Sequence, residues 1–547
     1  MFKSPNVAAR VFKRQILAPR PGASINFVRQ FYENLVPGCT ICDIDCPDHS
    51  FRKFTDDGQY LVSFSMNMQD IIVFRPKWLS YSFKGENCDH QTLAQKAKKF
   101  DSFFTHLYSI SLGSSNESIC KDFFLYLENH QFGLFATTTQ TQIHELASID
   151  GTVLGFPSIE KITFHLVRLN DGVVMDEKSF RNDYVSLIHN MGVFLHDNLL
   201  CVFSLRYQTI HILQVRESGN LVDVRSIGPF CLEDDELFLK SHSQCSEVVN
   251  KSRSEESVHL STNNIHHQQV TQANSFLSGI KQRLLSFIFR KAWNEESDPS
   301  LRVQHLKKKF YYHFQDYLDL MMSKSFYLQS VTSSDSQQVQ FLDRQHLLLK
   351  FGSVDGGVRM ADHHLAFFAV YNMETTEIVA FYQNPSEELY SLFERFYDYF
   401  HAKSREPLHA NFISSHSNNI YALEHLQIMK SKASSLSQYM KKMLSSLPYT
   451  CQSQSPSPYF DLSLFRYDEK LISATDRHRH STDHPLKFIS RRQPNVLKFK
   501  IKTGVDSINA DGRAKRSSFL FHPYLPLVLS IQQTYMQPTV VNIHVRL

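Results

Sequence analysis

Glycine is scarce in this chain. Only 18 of its 547 residues are glycine, and none falls in a Walker or dinucleotide-binding pattern, so the backbone loops that cradle phosphates have no candidate. Tryptophan is scarcer, with two residues, and the Trp-Asp signature of many repeat proteins is missing. No run of 18 apolar residues occurs, and cations interrupt the apolar residues of MFKSPNVAARVFKRQILAPRPG. That stretch lacks the core of a signal peptide, and the expectation is an intracellular, soluble protein without membrane association. Nine cysteines, odd in number and scattered, do not make a secreted disulfide framework. The net charge of +4 is small for this length, so any basic partner site must be a local patch. No G-x-S-x-G motif occurs, and no Ser or Cys stands in a recognisable nucleophile motif. Binding is therefore expected rather than catalysis.

What the chain does contain is apolar and aromatic: 42% hydrophobic residues, and 44 phenylalanines. The stretch FRKFTDDGQYLVSFS followed by DIIVFR reads as strand, turn at Thr55 to Gly58, strand, short loop, strand, because Asp-Gly supplies hairpin-turn conformations. DFFLYLENHQFGLFAT (122 to 137), ITFHLVRLNDGVVMDEKSF (162 to 180) and the segment 192 to 228 repeat the theme, as do 341 to 351, 366 to 382, 459 to 474 and the last thirty or so residues. Recurring strand-turn-strand units predict a mainly β protein, a degenerate β-propeller of about seven or eight blades whose terminal strands close the ring. The irregular spacing leaves a pair of β-sandwiches as the alternative.

The domain organisation follows from composition. Residues 1–37 read as a helix-loop-helix, 38–234 as the first part of the propeller, and 235–275 as a disordered polar loop. A helical insertion follows at 276–323, where Phe276, Ile280, Leu284 and Phe287, then Leu306, Phe310, Phe314, Tyr317 and Met321, recur at helical spacing. The propeller continues over 324–383. A second helical insertion covers 384–449, with Asn384 as a cap, Pro385 in the first turn and a stripe of Leu389, Leu392, Phe393, Phe396 and Phe400. The Ser/Pro-rich stretch at 450 to 459 is read as a linker, and residues 450–547 supply the closing blades. In the N-terminal segment, Ser24 caps a helix whose Ile25, Val28, Tyr32 and Leu35 share one side. That side must dock under its own propeller or into a groove on another protein.

Two stretches resemble metal sites. Cys39, Cys42, Cys46 and His49 are spaced as C-x2-C-x3-C-x2-H, yet Thr40 to Cys46 alternates like a strand, and an extended strand would hold Cys42 and Cys46 roughly 13 Å apart. Ligands of one zinc lie within about 4 Å of each other, so the cysteines are expected to pack as small apolar residues. His478, His480 and His484 are interleaved with Arg477 and Arg479, whose charge opposes a cation. Neither metal nor cofactor is expected. Two basic features stand out. Arg290 and Lys291 with Lys307, Lys308 and Lys309 have the form of a bipartite nuclear import signal or of a solvated helix face. Between 470 and 516, twelve Lys or Arg face four acids. Exposed strand cations or a patch for acidic protein or nucleic acid would account for these.

Several long phrases carry a family likeness: VRQFYENLVPG, FRKFTDDGQYLVSFS, SLRYQTIHILQV, DVRSIGPFCLEDD, FFAVYNMETTEIVAFYQNPSEELYSLFE, PYFDLSLFRYDEKLIS and FLFHPYLPLVLSIQQ. Along almost its whole length the chain resembles the de-etiolated-1 family, and in particular its green-plant members. The resemblance implies a nuclear, non-catalytic component of a cullin-4 ubiquitin ligase bound to the adaptor damaged-DNA-binding protein 1. It also implies a small adaptor-associated protein, a ubiquitin-conjugating enzyme or inactive variant of one, and repression of photomorphogenesis with histone and chromatin contact. On that reading the N-terminal helices dock to the adaptor, with Val11, Phe12, Ile25, Val28, Tyr32 and Leu35 as apolar anchors, and a helical insertion recruits the conjugating enzyme. The alternative is a free-standing propeller scaffold that binds chromatin or nucleic acid through a basic patch.

Overall fold

The computed structural model describes residues 32–77, 99–140, 159–236, 279–308, 339–351, 367–392, 434–435, 455–472, 485–502, 516–533 and 539–546, apart from a few positions within these ranges. The chain divides into two compact units. One comprises Met1–Ser111, His401–Ile428 and Ser453–Leu547; the other comprises Leu112–Phe400 and Met429–Gln452. Both are built from antiparallel sheets, mostly four-stranded. No described helix is long and apolar enough to cross a membrane.

In the first unit, sheet 1 is a meander of His49–Phe54, Leu61–Ser65, Asp70–Pro76 and Phe104–Ser111. Sheet 5 holds Phe465–Arg466, Leu486–Ser490 and Leu497–Ile501. Sheet 6 is made from both ends of the sequence: Arg516–Phe521, Leu527–Gln533 and Val540–Val545 are followed in space by Cys39–Ile41, which pairs antiparallel with the last strand, Cys39 opposite Val545 and Ile41 opposite Ile543. Strand alternation explains why sheet 6 lies in the middle. Leu527, Leu529 and Ile531 pack with Phe54, Leu61 and Phe104 of sheet 1, whereas Val528 packs with Phe465, Phe488 and Phe499 of sheet 5. Successive side chains point to opposite faces, so one strand serves two cores.

The second unit repeats this arrangement. Sheet 2 contains Glu117–Ile119, Leu125–Leu127, Phe132–Gln140, Ile159–Arg168 and Val173–Arg181; sheet 3 contains Val193–His196, Leu199–Ser204, Thr209–Val215 and Leu221–Ile227; sheet 4 contains Val339–Phe341, His346–Phe351, Phe367–Asn372 and Glu377–Gln383. Sheet 3 is the middle layer. Leu200, Val202, Leu213 and Val215 join sheet 2, while Cys201, Phe203, Ile210 and Ile212 join sheet 4. The helix Gly279–Glu295 covers the second of these cores with Leu284, Ile280 and Phe287. It is anchored by the buried Arg283, which donates from Nε to Thr376 O at 2.5 Å and from Nη1 to Asp235 and to Gly279 O. Asp235 in turn accepts from the N–H groups of Cys231 and Gly279.

Six sheets are thus described, against the expectation of seven or eight blades, and the hairpins read from the sequence are present except that at 459 to 474, where Pro458–Phe460 form a 3-10 turn and the short strand Phe465–Arg466 pairs with Leu486–Ser490 instead. Three further details differ from expectation. The strand read from Thr40 to Cys46 stops at Ile41, because Asp43 turns into the left-handed region at φ 55°. Its N–H bonds Asn542 Oδ1 at 2.9 Å, and that of Ile44 bonds Val541 O at 2.9 Å. The stretch at 450 to 459 is no linker at its end: Ser457, Pro458, Tyr459 and Phe460 are buried, since the two rings enter the core of sheets 5 and 6. Ser386 accepts from the Leu389 N–H at 3.4 Å at the start of the helical residues 387–389, while Asn384 and Pro385, read as its cap and first turn, lie outside the described residues. Asp234 and Asp235, placed at the edge of a disordered loop by composition, hold Arg225 and Arg283. The remainder of that loop from 237, the stripe beyond Leu306 and most of the second insertion lie outside the described residues, as do residues 1–31 and His478, His480 and His484.

Gly58 shows how a turn is tied to the core. Its φ of +70° suits glycine, and a Cβ there would lie 2.5 Å from the His522 ring, which itself donates from Nε2 to Gly58 O at 2.9 Å. Gly58→Ala should therefore lower unfolding free energy by about 1–3 kcal/mol, read as a reduced denaturant midpoint with an unchanged slope.

Candidate docking site at residues 32 to 36

The N-terminal segment enters the described structure at Tyr32, and its last residues are locked onto their own unit. Tyr32 is 8% exposed and meets Tyr459 edge to face, ring centroids 6.4 Å apart. Tyr459 donates its hydroxyl to Leu35 O. Glu33 accepts a 2.8 Å hydrogen bond from Ser490 Oγ and faces Arg492 at 3.7 Å, and Arg546 donates to Asn34 O at 2.8 Å. Burial pushes the Tyr32 phenol up to about 12 and raises that of Tyr459 as well. Both hydroxyls therefore stay neutral in a dry aromatic cluster.

This placement sorts the proposed adaptor anchors. Tyr32 sits in the core of sheets 5 and 6, and Leu35 packs against that core half-buried, so both face their own chain. Val11, Phe12, Ile25 and Val28 lie outside the described residues. The helical period that grouped Ile25, Val28, Tyr32 and Leu35 carries no information on which partner the stripe meets. Sequence reading missed Tyr459, Ser490 and Arg546, which complete the lock; the aromatic pair in PYF, flanked by strand pattern, was the available signal.

Of the metal-like residues, only Cys39, Cys42, Cys46 and His49 lie among the described residues, and they are not gathered into a ligand set. Among the described residues no three His, Cys, Asp or Glu side chains converge on one point. Burial, then the carboxylates of Asp45, Asp101 and Asp48, push the Cys46 thiol up to about 12, which opposes the thiolate that metal binding needs. Of the import-signal residues, Arg290, Lys291, Lys307 and Lys308 are exposed and Lys309 lies outside the described residues. Arg290 also pairs with Glu377 at 3.3 Å.

Three histidines sit in polar ties that resemble catalytic pairs; two of these ties join strands, while the third joins a turn to a loop. In sheet 6, His544 is buried between Thr40 Oγ1 at 3.0 Å and Ser530 Oγ at 3.1 Å, and Ser530 gives its own proton to Lys502 O. His544 Nε2–H must then donate to Ser530 while Nδ1 accepts from Thr40. Ser530 has no solvent exposure, so it cannot meet a substrate. In sheet 2, His165 donates from Nδ1 to Glu177 at 2.8 Å and accepts from Thr137 at 2.8 Å. His522 accepts the N–H groups of Tyr524 and Leu525 on Nδ1. The two N–H groups on His522 Nδ1 require that nitrogen unprotonated, and burial lowers all three; His522 and His544 fall to about 4.

The structure therefore defines a mainly β protein of antiparallel four-stranded meanders, with an N-terminal segment secured beside the strand that joins the two chain ends. A family model described as De-etiolated protein 1 Det1 matches residues 121–547. The protein named Light-mediated development protein DET1 from Solanum lycopersicum is 63% identical over 549 residues, and its namesake from Arabidopsis thaliana is 61% identical over 558. In both comparisons the whole of each chain is covered. A solved Bacteroides fragilis structure, provisionally a 6-phosphogluconolactonase, shares 12% identity over 34% of this chain and 58% of its own. Its TM-score of 0.15 is too low to carry an argument. The chain belongs to the De-etiolated protein 1 family and to its green-plant members. Family membership places it among proteins of light-controlled development.

Because His522 and His544 bind protons in the unfolded chain near pH 6.5 and in the folded chain only near 4, their stabilisation is complete above 6.5 and is lost as pH falls towards 4. His522 and His544 should each contribute on the order of 3 kcal/mol to that loss. Urea midpoints of the full chain measured between pH 7.5 and 5 should fall steadily. A flat profile would mean the rings are solvated.

Proposed function

We propose that this protein is a non-catalytic substrate-receptor and adaptor subunit of a nuclear cullin-4 RING ubiquitin ligase. In this reading it docks to damaged-DNA-binding protein 1 together with a small adaptor-associated protein. It recruits a ubiquitin-conjugating enzyme, or an inactive variant of one, through a helical insertion. Its biological output is repression of photomorphogenesis and light-regulated transcription, exerted through protein ubiquitination and contact with chromatin and histones. The exposed cations Arg290, Lys291, Lys307 and Lys308 serve nuclear import.

The observation that carries the docking part is the lock at residues 32 to 36. A segment that inserts into a partner needs a firm point of departure, since ordering it on binding costs free energy that a fixed base reduces. Tyr32, Glu33 and Asn34 supply that base through Tyr459, Ser490 and Arg546. The apolar residues Val11, Phe12, Ile25 and Val28 then become the adaptor anchors, in the helix-in-groove mode, while Tyr32 and Leu35 act from beneath. The meander sheets are read as blades of a degenerate propeller, and the pairing of Cys39–Ile41 with Val540–Val545 is the closure such a ring requires.

The test separates docking from folding. A chain lacking residues 1–31 keeps the lock and should retain its melting temperature while losing co-purification with the adaptor. Ile25→Ala and Val28→Ala should each weaken adaptor binding by roughly 1–3 kcal/mol. Tyr32→Ala should instead destabilise the protein by about 3–5 kcal/mol, the cost of emptying a buried aromatic site. Stoichiometric adaptor on the shortened chain would overturn the docking model.

A further inference from the structure

The solvent face of sheet 5 carries an arrangement that sheet stability disfavours. Lys487 and Lys500 are direct cross-strand partners, both exposed, and like charges set opposite each other on neighbouring strands weaken a sheet. The inner face is fixed by Phe488 and Phe499, stacked at 4.4 Å and 6°, so their neighbours must point outwards. A bulge at Lys498 keeps Leu497 and Lys500 on that same outer face, with Leu497 opposite Ile489 and Ile489 opposite Arg466. Leu497 is 48% exposed and the adjoining Val496 40%.

Arg466, Lys487 and Lys500 make no ion pair among the described residues, while Arg492, at the turn beyond, has Glu33 at 3.7 Å. Asp468 is the one exposed carboxylate described on this stretch. The face is thus a small apolar strip, Ile489, Leu497 and Val496, bordered by three cations that lack a partner in their own sheet.

We propose that the outer face of sheet 5 docks an acidic segment of a partner protein, one whose carboxylates alternate with apolar side chains. Lys487, Lys500 and Arg466 would take the carboxylates, and Ile489 with Leu497 would take the apolar groups. Charge complementarity selects an acidic occupant, and the apolar strip selects a peptide over nucleic acid. Single-stranded nucleic acid is held by aromatic platforms, and none of the outward residues named here is aromatic. Duplex DNA binders that make about 6–10 phosphate contacts use more cations than the three described on this face. A merely solvated face would gain from an opposite-charge pair at 487 and 500; binding explains why two lysines stand there.

The experiment uses the full chain and fluorescence anisotropy. The probe is a labelled synthetic peptide of about fourteen residues, Glu and Asp with Leu and Phe interspersed. Competitors are the same peptide with Gln for its acids, a thymidine oligonucleotide of about twenty bases and a duplex of about twenty base pairs. The acidic peptide should bind, and K487E/K500E should weaken it by about tenfold or more while K487R/K500R stays within about twofold. L497S should lose several-fold. K500E alone should raise the melting temperature, by giving Lys487 an opposite charge, yet still weaken the peptide. Failure of the acidic peptide to bind, binding that K487E/K500E leaves unchanged, or oligonucleotide binding tighter than peptide binding would each overturn the proposal.

Discussion

Three residues near the start of the described chain, Cys39 to Ile41, hydrogen-bond to the last strand, Val540–Val545, and the first unit is organised around that pairing. Bringing together ends about 500 residues apart carries a loop-closure cost on the order of 5 kcal/mol, more than so short a strand offsets by itself. The surroundings supply the difference. Ile44 is buried behind the strand, Asp43 and Ile44 bond Asn542 and Val541, and Thr40 bonds His544. The lock at Tyr32 to Val36 extends the same join onto sheet 5. Sheet 6 then lies between sheets 1 and 5 with both faces covered, which is why its central strand reads LVLSIQQ rather than alternating apolar with charged.

Polar side chains buried in these sheets follow one design. His544 ties three strands, from Thr40 through the ring to Ser530, and His165 does the same from Thr137 to Glu177. Both are imidazoles whose two nitrogens are fully engaged, which removes the penalty of burying an unpaired polar group. Burial is what lowers both histidines, and it is strand joining that places the rings in the interior. The Arg283 cluster is the helical counterpart: a guanidinium held by Asp235 and two carbonyls fastens the helix Gly279–Glu295 to its core.

Function is therefore sought where side chains have no internal partner of their own. Tyr32 and Leu35 belong to the interior, leaving the residues before them for the adaptor in the proposed ligase. Lys487 and Lys500 are the opposite case, exposed and mutually repulsive on a sheet whose other face is a tight aromatic stack. The two differ in chemistry: Val11, Phe12, Ile25 and Val28 are apolar residue types, whereas the face of sheet 5 carries cations, so the two proposals call for different partners.

Much of this protein is legible in its sequence. Strand alternation and Asp-Gly or Asn-rich turns mark the hairpins, because period-two patterning and left-handed turn conformations are local properties. The family likeness also resides in local phrases. Tertiary structure alone decides the rest. That Cys39–Ile41 joins Val540–Val545, that Tyr459 leaves a Ser/Pro-rich stretch to meet Tyr32, and that Asp43 ends a strand the pattern would extend all depend on partners hundreds of residues away. Local periodicity states which face of an element is apolar; only the packed chain states what that face meets.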